Sequence, residues 1–263
     1  MPARGAWLAI AGVAYVVFLV ASFPAGTAHR WFAPDALHLD GIDGTIWTGS
    51  AELASLPGMP MRELRWNLDA LPLLLGRVSV QFEARLADGF VRGAVAVSPG
   101  TVSVANLQAS ANLAVLDGAL NLGGVQGLAN LNLQSLELED GWPTAVTGSL
   151  RIEQLWVPPL IPSGSSPAAI PFGNFELTLS GVAGRSVLAV VRDTGGPLEI
   201  TADLALELVR PYSLAGAAPS VAARVRERPG APGELAVPLN MLTVATDTEG
   251  WRTLDLDPWL STL

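Results

Sequence analysis

The chain has 263 residues, half of them apolar and only 6% aromatic, enough for one large or two small domains with a core of Val, Leu and Ala. Its formal charge is −9 and all 15 basic residues are arginine, which argues against a nucleic-acid partner because phosphate contacts supply most of that affinity. With no cysteine, disulfides and thiol chemistry are excluded, a composition compatible with an envelope domain.

An uncharged apolar run of 18 residues lies between Ala6 and Phe23. As a helix it would be about 27 Å long, close to the hydrocarbon thickness of a bilayer. Ala6, Trp7, Leu8, Ile10, Val13, Tyr15, Val16, Val17, Phe18, Leu19, Val20 and Phe23 are therefore read as a retained membrane anchor, within a stub-and-span segment of residues 1–30. A cleaved signal peptide is the competing reading, with Arg4 as its positive start and Gly26-Thr27-Ala28 as a cutting site. The run exceeds the roughly 7–15 residues of a secretory core, which favours the anchor. Large downstream domains translocate largely regardless of flanking charge, so the bulk is expected outside the cytoplasm.

Beyond the anchor the dominant period is two, that of a strand with one buried face. Short helices are expected at Trp31 to Leu37 and Leu71 to Leu75. Strand alternation is clear in Val78, Val80, Phe82, Ala84 and Leu86, and extends at alternate positions from Leu107 to Val115. Parity switches between Leu133 and Leu136, which predicts a bulge or a new strand. The longest alternation runs from Leu198 to Leu208, apolar on one side and mostly acidic on the other. Asp88-Gly89, Asp117-Gly118 and the glycine pairs at 123–124 and 195–196 punctuate these runs as turns.

Five prolines, one glycine and three serines interrupt the rhythm at residues 157–171. The stretch is a linker or excursion between residues 31–156 and 172–263, either a domain border or a pause in one sheet. The expected class is mainly β: a single N-terminal transmembrane helix followed by an extended, mostly antiparallel domain, a curved groove or a sandwich.

Two segments carry more than period. One is Leu39-Asp40-Gly41-Ile42-Asp43-Gly44-Thr45-Ile46-Trp47-Thr48-Gly49, the other Leu64-Arg65-Trp66-Asn67-Leu68-Asp69-Ala70-Leu71-Pro72-Leu73-Leu74-Leu75-Gly76-Arg77. In this order behind one apolar run they resemble the type II secretion system protein N family, with its GxGTxWxG turn and WxLxPxxLLxGR segment. Asn174 to Leu179 and Arg192-Asp193-Thr194-Gly195-Gly196-Pro197-Leu198 are similar to that family's C-terminal half. Pro72 stands later than in the family pattern. The resemblance implies a non-catalytic accessory component of the Gram-negative inner membrane. Its partners would be other type II secretion subunits (platform, secretin or pseudopilins). Gly41, Gly44, Trp47, Gly49, Arg65, Trp66, Leu68, Pro72, Gly76 and Arg77 are the motif and candidate contact residues it singles out.

No chemistry-bearing constellation accompanies them. His29 and His38 lack flanking acids at metal-ligand spacing, there is no lysine, and neither a nucleophile elbow nor a phosphate loop occurs. Asp255 and Asp257 read as a solvated strand face, and Arg224, Arg226 and Arg228 as another. No enzyme activity or cofactor is expected. The rival function is an envelope lipid-binding or lipid-transfer groove, since a sheet with one apolar face can curl into a trough that takes acyl chains.

Overall fold

A computed structural model describes residues 12, 15, 18–32, 37–56, 59–120, 124–158, 170–183, 186–207, 218–235, 239–240 and 243–254. The alternating sequence folds as one antiparallel sheet. Its strands are β1 (His38–Gly44), β2 (Thr48–Leu56), β3 (Met59–Asp69), β4 (Val78–Leu86), β5 (Gly89–Ser98), β6 (Thr101–Asn112) and β7 (Gln126–Glu139). There follow β8 (Trp142–Val157), β9 (Ile170–Ala183), β10 (Ser186–Gly195), β11 (Leu198–Glu207), β12 (Ala218–Glu227), β13 (Thr243–Thr246) and β14 (Arg252–Leu254). Spatial order is chain order from β1 to β12, then β14 and β13. Val157 pairs with Ile170, so the strands on either side of the proline-rich stretch are neighbours.

Register puts the two sides of this sheet in sharp contrast. Leu68 pairs with Val80, Val80 with Val95, and Val95 with Val104. The row continues through Val104 to Leu136 and Leu136 to Val146. Farther along, Leu150 pairs with Leu177, Leu177 with Val191, and Val191 with Ala202. One face is thus apolar from β3 to β12. The opposite face carries Arg65 against Glu83, Arg151 against Glu176 and Glu199 against Arg226. The anticipated choice between sandwich and groove resolves to one sheet: among the described residues no second sheet covers the apolar face.

Among the described residues that face is sealed in two places, both at the end of the strands where β4 turns into β5. Helix α3 (Leu113–Leu120) brings Leu116 against Ala54, Met61, Ala84, Leu86 and Ala111. The segment after β12 brings Leu235 and Leu239 over Ile170, Leu198 and Val225. Leu198, Val225 and Leu235 are at most 1% exposed. Between the seals Val95, Leu107, Leu131, Leu150 and Leu177 stay half-buried.

The strands bend at bulges. Register shifts occur beside Glu63 in β3, between Arg92 and Ala94 opposite Asn106, and beside Gln154 in β8. Glu63, Asn106 and Gln154 adopt φ near +50°, a conformation that places one unpaired residue in the strand and increases its twist. The parity switch near Leu133 is a bulge within continuous β7, not a new strand.

Three local expectations are corrected. Of the helix expected at Trp31 to Leu37, Trp31 and Phe32 close α1 (Ala25–Phe32), which begins earlier because Pro24 ends the preceding helical residues 18–21 and starts a new turn; Leu37 is not helical, and residues 33–36 lie outside the described residues. The alternation from Leu107 to Val115 ends at Asn112, whose Oδ1 accepts the Ala114 N–H at 2.9 Å and caps α3. Asp117 and Gly118 therefore sit inside α3 and form no turn. The helix expected at Leu71 to Leu75 is present as α2 (Ala70–Leu73), closing in a turn through Gly76.

Among the described residues no helix is long and apolar enough to cross a membrane. Of the anchor residues, Ala6, Trp7, Leu8, Ile10, Val13, Val16 and Val17 lie outside the described residues. Tyr15, Phe18, Leu19 and Val20 are described and exposed, at 47–64%. Asp255, Asp257 and Trp259 also lie outside the described residues.

Candidate functional site

The two motif segments meet at one end of the sheet, where β1 turns into β2. Pro24 bridges Thr45, and the Ile46 N–H donates to the Phe23 carbonyl at 3.0 Å. Trp47 donates its indole Nε1–H to the Val20 carbonyl at 2.8 Å, satisfying one of the carbonyls that a helix end leaves without a partner. On its other side the Trp47 carbonyl accepts the Leu68 N–H at 2.6 Å. The turn thus joins the end of the apolar helix to β3.

Two glycines make that joint possible. Gly44 has φ near +87°, and a Cβ there would stand 2.5 Å from the Thr48 carbonyl oxygen. A Cβ on Gly49 would stand 2.3 Å from the Trp66 ring, which lies directly across it in β3. Trp66 pairs with Phe82, and Leu68 follows on the same apolar face. Gly41 stands opposite Glu52 near the bend of β1.

The second motif then runs into α2. Pro72 and Gly76 frame its turn, and Leu71, Leu74 and Leu75 are 79%, 84% and 88% exposed. Arg77 donates Nη2–H to the Ser103 hydroxyl at 3.1 Å, linking the turn to β6. Arg65 points the other way, into an open depression of about 650 Å³ on the polar face, bordered by Asn67, Gln81, Glu83, Arg92 and Gln108. Its groups engage one another: Arg92 donates through Nε and Nη2 to Gln108 Oε1 at 3.0 and 2.7 Å. Of the motif residues, Trp47, Gly44, Gly49, Trp66, Leu68, Pro72, Gly76 and Arg77 share one end of the sheet, and Arg65 lies on its polar side.

Charge gathers at the far edge instead. Arg226 donates to Glu199 at 2.6 and 3.1 Å and lies 4.7 Å over the Trp251 ring. Arg224 pairs with Asp247 and also covers Trp251. Arg228 donates to Asp193 at 2.5 Å and to the Gly196 and Leu198 carbonyls. Desolvation works to raise the Asp247 carboxyl, and the N–H groups of Trp251 and Glu249 with the Arg224 guanidinium outweigh it, holding it below the ordinary value. Period analysis marked these arginines as a polar face and missed the ion pairs, which depend on cross-strand register. Among the described residues no group of three or more His, Asp or Glu side chains gathers as a metal site.

These features define a class: a protein made of a single antiparallel meander, apolar on one face, polar on the other, with its shared motif at a turn that receives an N-terminal helix. The chain belongs to the type II secretion system (T2SS) protein N family, whose profile matches residues 35–255. This is a family of secretion components and not a known enzyme family. A stretch of 45 residues is 42% identical to type II secretion system protein N of Vibrio cholerae serotype O1 (strain ATCC 39315 / El Tor Inaba N16961). It covers 17% of this chain and 18% of that protein's length. No solved structure matches the chain.

Proposed function

We propose that the chain is a non-catalytic accessory component of the type II secretion apparatus, acting through contacts with other secretion subunits. In this reading residues 6–23 anchor it in the inner membrane and the sheet lies in the periplasm, with residues 157–171 an excursion between parts 31–156 and 172–263. The family match across residues 35–255 carries the reading. The exposed apolar side chains of Phe18, Leu19 and Val20, directly before the motif turn, support the anchor. A deletion strain should accumulate exoproteins in the periplasm, and normal export there would overturn the role. Crosslinking in the intact strain should recover a platform subunit, secretin or pseudopilin, and recovery of none would count against partner contact.

A second reading is supported by the uncovered apolar face. Half-buried aliphatic side chains across β4 to β10, with no second layer among the described residues, form a surface suited to acyl chains, so the sheet works as a lipid-binding or lipid-transfer groove. Mass spectrometry of protein purified in mild detergent should then find bound acyl lipid in near-stoichiometric amount. A lipid-free preparation would remove this reading and leave the first intact.

A further inference from the structure

The three most exposed large apolar residues described are Leu71, Leu74 and Leu75, all in the α2 turn. Of the other described turns at this end of the sheet, Ser98-Pro99-Gly100-Thr101 between β5 and β6 and Asp140-Gly141 between β7 and β8 are polar, and Thr45-Ile46-Trp47 between β1 and β2 is tied to residues 20–24. At the opposite end the apolar helix α3 folds back, burying Leu113 and packing Leu116 on the core. The α2 turn does neither. It holds its leucines away from the sheet.

Its backbone is suited to leaving water. Leu74 donates its N–H to the Leu71 carbonyl, Leu75 and Arg77 donate to Pro72, and Gly76 donates to Leu73, at 2.9–3.2 Å. Pro72 has no N–H to strand. A turn that pairs these four donors with its own carbonyls carries fewer abandoned hydrogen bonds into an apolar layer. From Ala70 to Gly76 there is no charge, and Asp69 just before it accepts from the Ser79 hydroxyl at 3.2 Å. Arg77 follows immediately, a cation suited to the phosphate level of a membrane.

Its position names the occupant. The Trp47 indole holds the Val20 carbonyl, and the Trp47 carbonyl holds Leu68, three residues before Leu71. At about 3.3 Å per extended residue, α2, which begins at Ala70, starts roughly 7 Å along the strand from that joint. A headgroup layer is about 5–8 Å deep on each side of the hydrocarbon. We propose that Leu71, Leu74 and Leu75 form a second, shallow membrane contact, dipping into the interfacial layer of the same bilayer that holds residues 6–23. The contact fixes the sheet's tilt at the membrane, with Trp47 at the interfacial level that Trp favours. This inference rests on the anchor reading given above.

The absence of cysteine makes the test clean. Full-length protein carrying Leu74→Cys is labelled with an environment-sensitive dye and reconstituted into phosphatidylethanolamine–phosphatidylglycerol vesicles. A second preparation carries the label at Asp88→Cys, in the β4–β5 turn at the other end of the sheet. The expected result is carbonate-resistant flotation of both, with a blue shift and severalfold stronger quenching by doxyl-labelled lipid at position 74 than at 88. A triple variant, L71S/L74S/L75S, bearing the label at Pro72→Cys should float equally and lose that quenching. Flotation with a water-exposed label at 74 overturns the leucine contact while leaving the anchor in place. A shielded label that doxyl lipid does not quench assigns the turn to a protein partner or second copy, and also overturns it. Loss of flotation overturns the anchor, and the contact with it.

Discussion

At the scale of single residues, the motif reads as joinery. Gly49 is invisible to any hydrophobicity pattern, yet its missing Cβ is the space that the Trp66 ring occupies. A Gly49→Val substitution should cost about 1–3 kcal/mol through overpacking, read as a lowered urea midpoint by circular dichroism. Asp193 lies in the family-like segment before Gly195-Gly196, and the fold makes it a hub. Its side chain is 8% exposed and accepts from both Arg228 and the Ile200 N–H. Asp193→Ala should cost about 1–3 kcal/mol by stranding those donors, toward the low end because Arg228 is 37% exposed and can turn to water. Trp66 and Leu68 on one face, and Arg224 with Arg226 on the other, were readable from alternation alone. The left-handed conformations of Glu63, Asn106 and Gln154 were not, since none is a glycine and no local signal marks an extra residue in a strand.

At the scale of elements, the strands with the longest alternation were found nearly to the residue. β4 is Val78–Leu86, and β11 is Leu198–Glu207. Helix α3 was missed because Leu113 and Val115 extend the period of β6, and only Asn112, a capping residue, distinguishes the two outcomes. The β13–β14 connection turns on Asp247, whose Oδ1 accepts the Glu249 and Trp251 N–H groups at 2.9 and 2.8 Å. Its carboxyl is held below the ordinary value in the fold, so the charged form favours the folded turn. That contribution is present above the unfolded-state value near 4 and is lost as pH falls through the lower folded value. The protection factors of the Glu249 and Trp251 amides, corrected for the intrinsic exchange rate at each pH, should therefore fall on acidification below about pH 4, and Asp247→Asn should remove most of that pH dependence.

At the scale of the whole molecule, nearly every strand pairs with its neighbours in the sequence, and among the described residues no layer spans the sheet. Such an array gains stability from nearest-neighbour contacts, much as repeat proteins do, and its short sequence separations favour rapid folding. Leu235→Ala, at a residue 0% exposed, should cost about 2–5 kcal/mol. The loss should be regional: hydrogen exchange should quicken in β11, β12 and β14 while β4 to β7 keep their protection. Uniform loss across all strands would show a cooperativity that this topology lacks. Alternation announced one oily side but could not disclose that the described residues cover it only at one end of the strands, because a buried face and an open face carry the same pattern. The joint at Trp47 has a mechanical corollary. The indole and two main-chain ties within a few residues hold helical residues 18–21 close against the first strands. Fourteen strands at about 4.8 Å apiece make a ribbon of roughly 60 Å along its curve. The protein is thereby built as a stiff cantilever: a small rocking of its root would swing the arginine-rich far edge through a much larger arc.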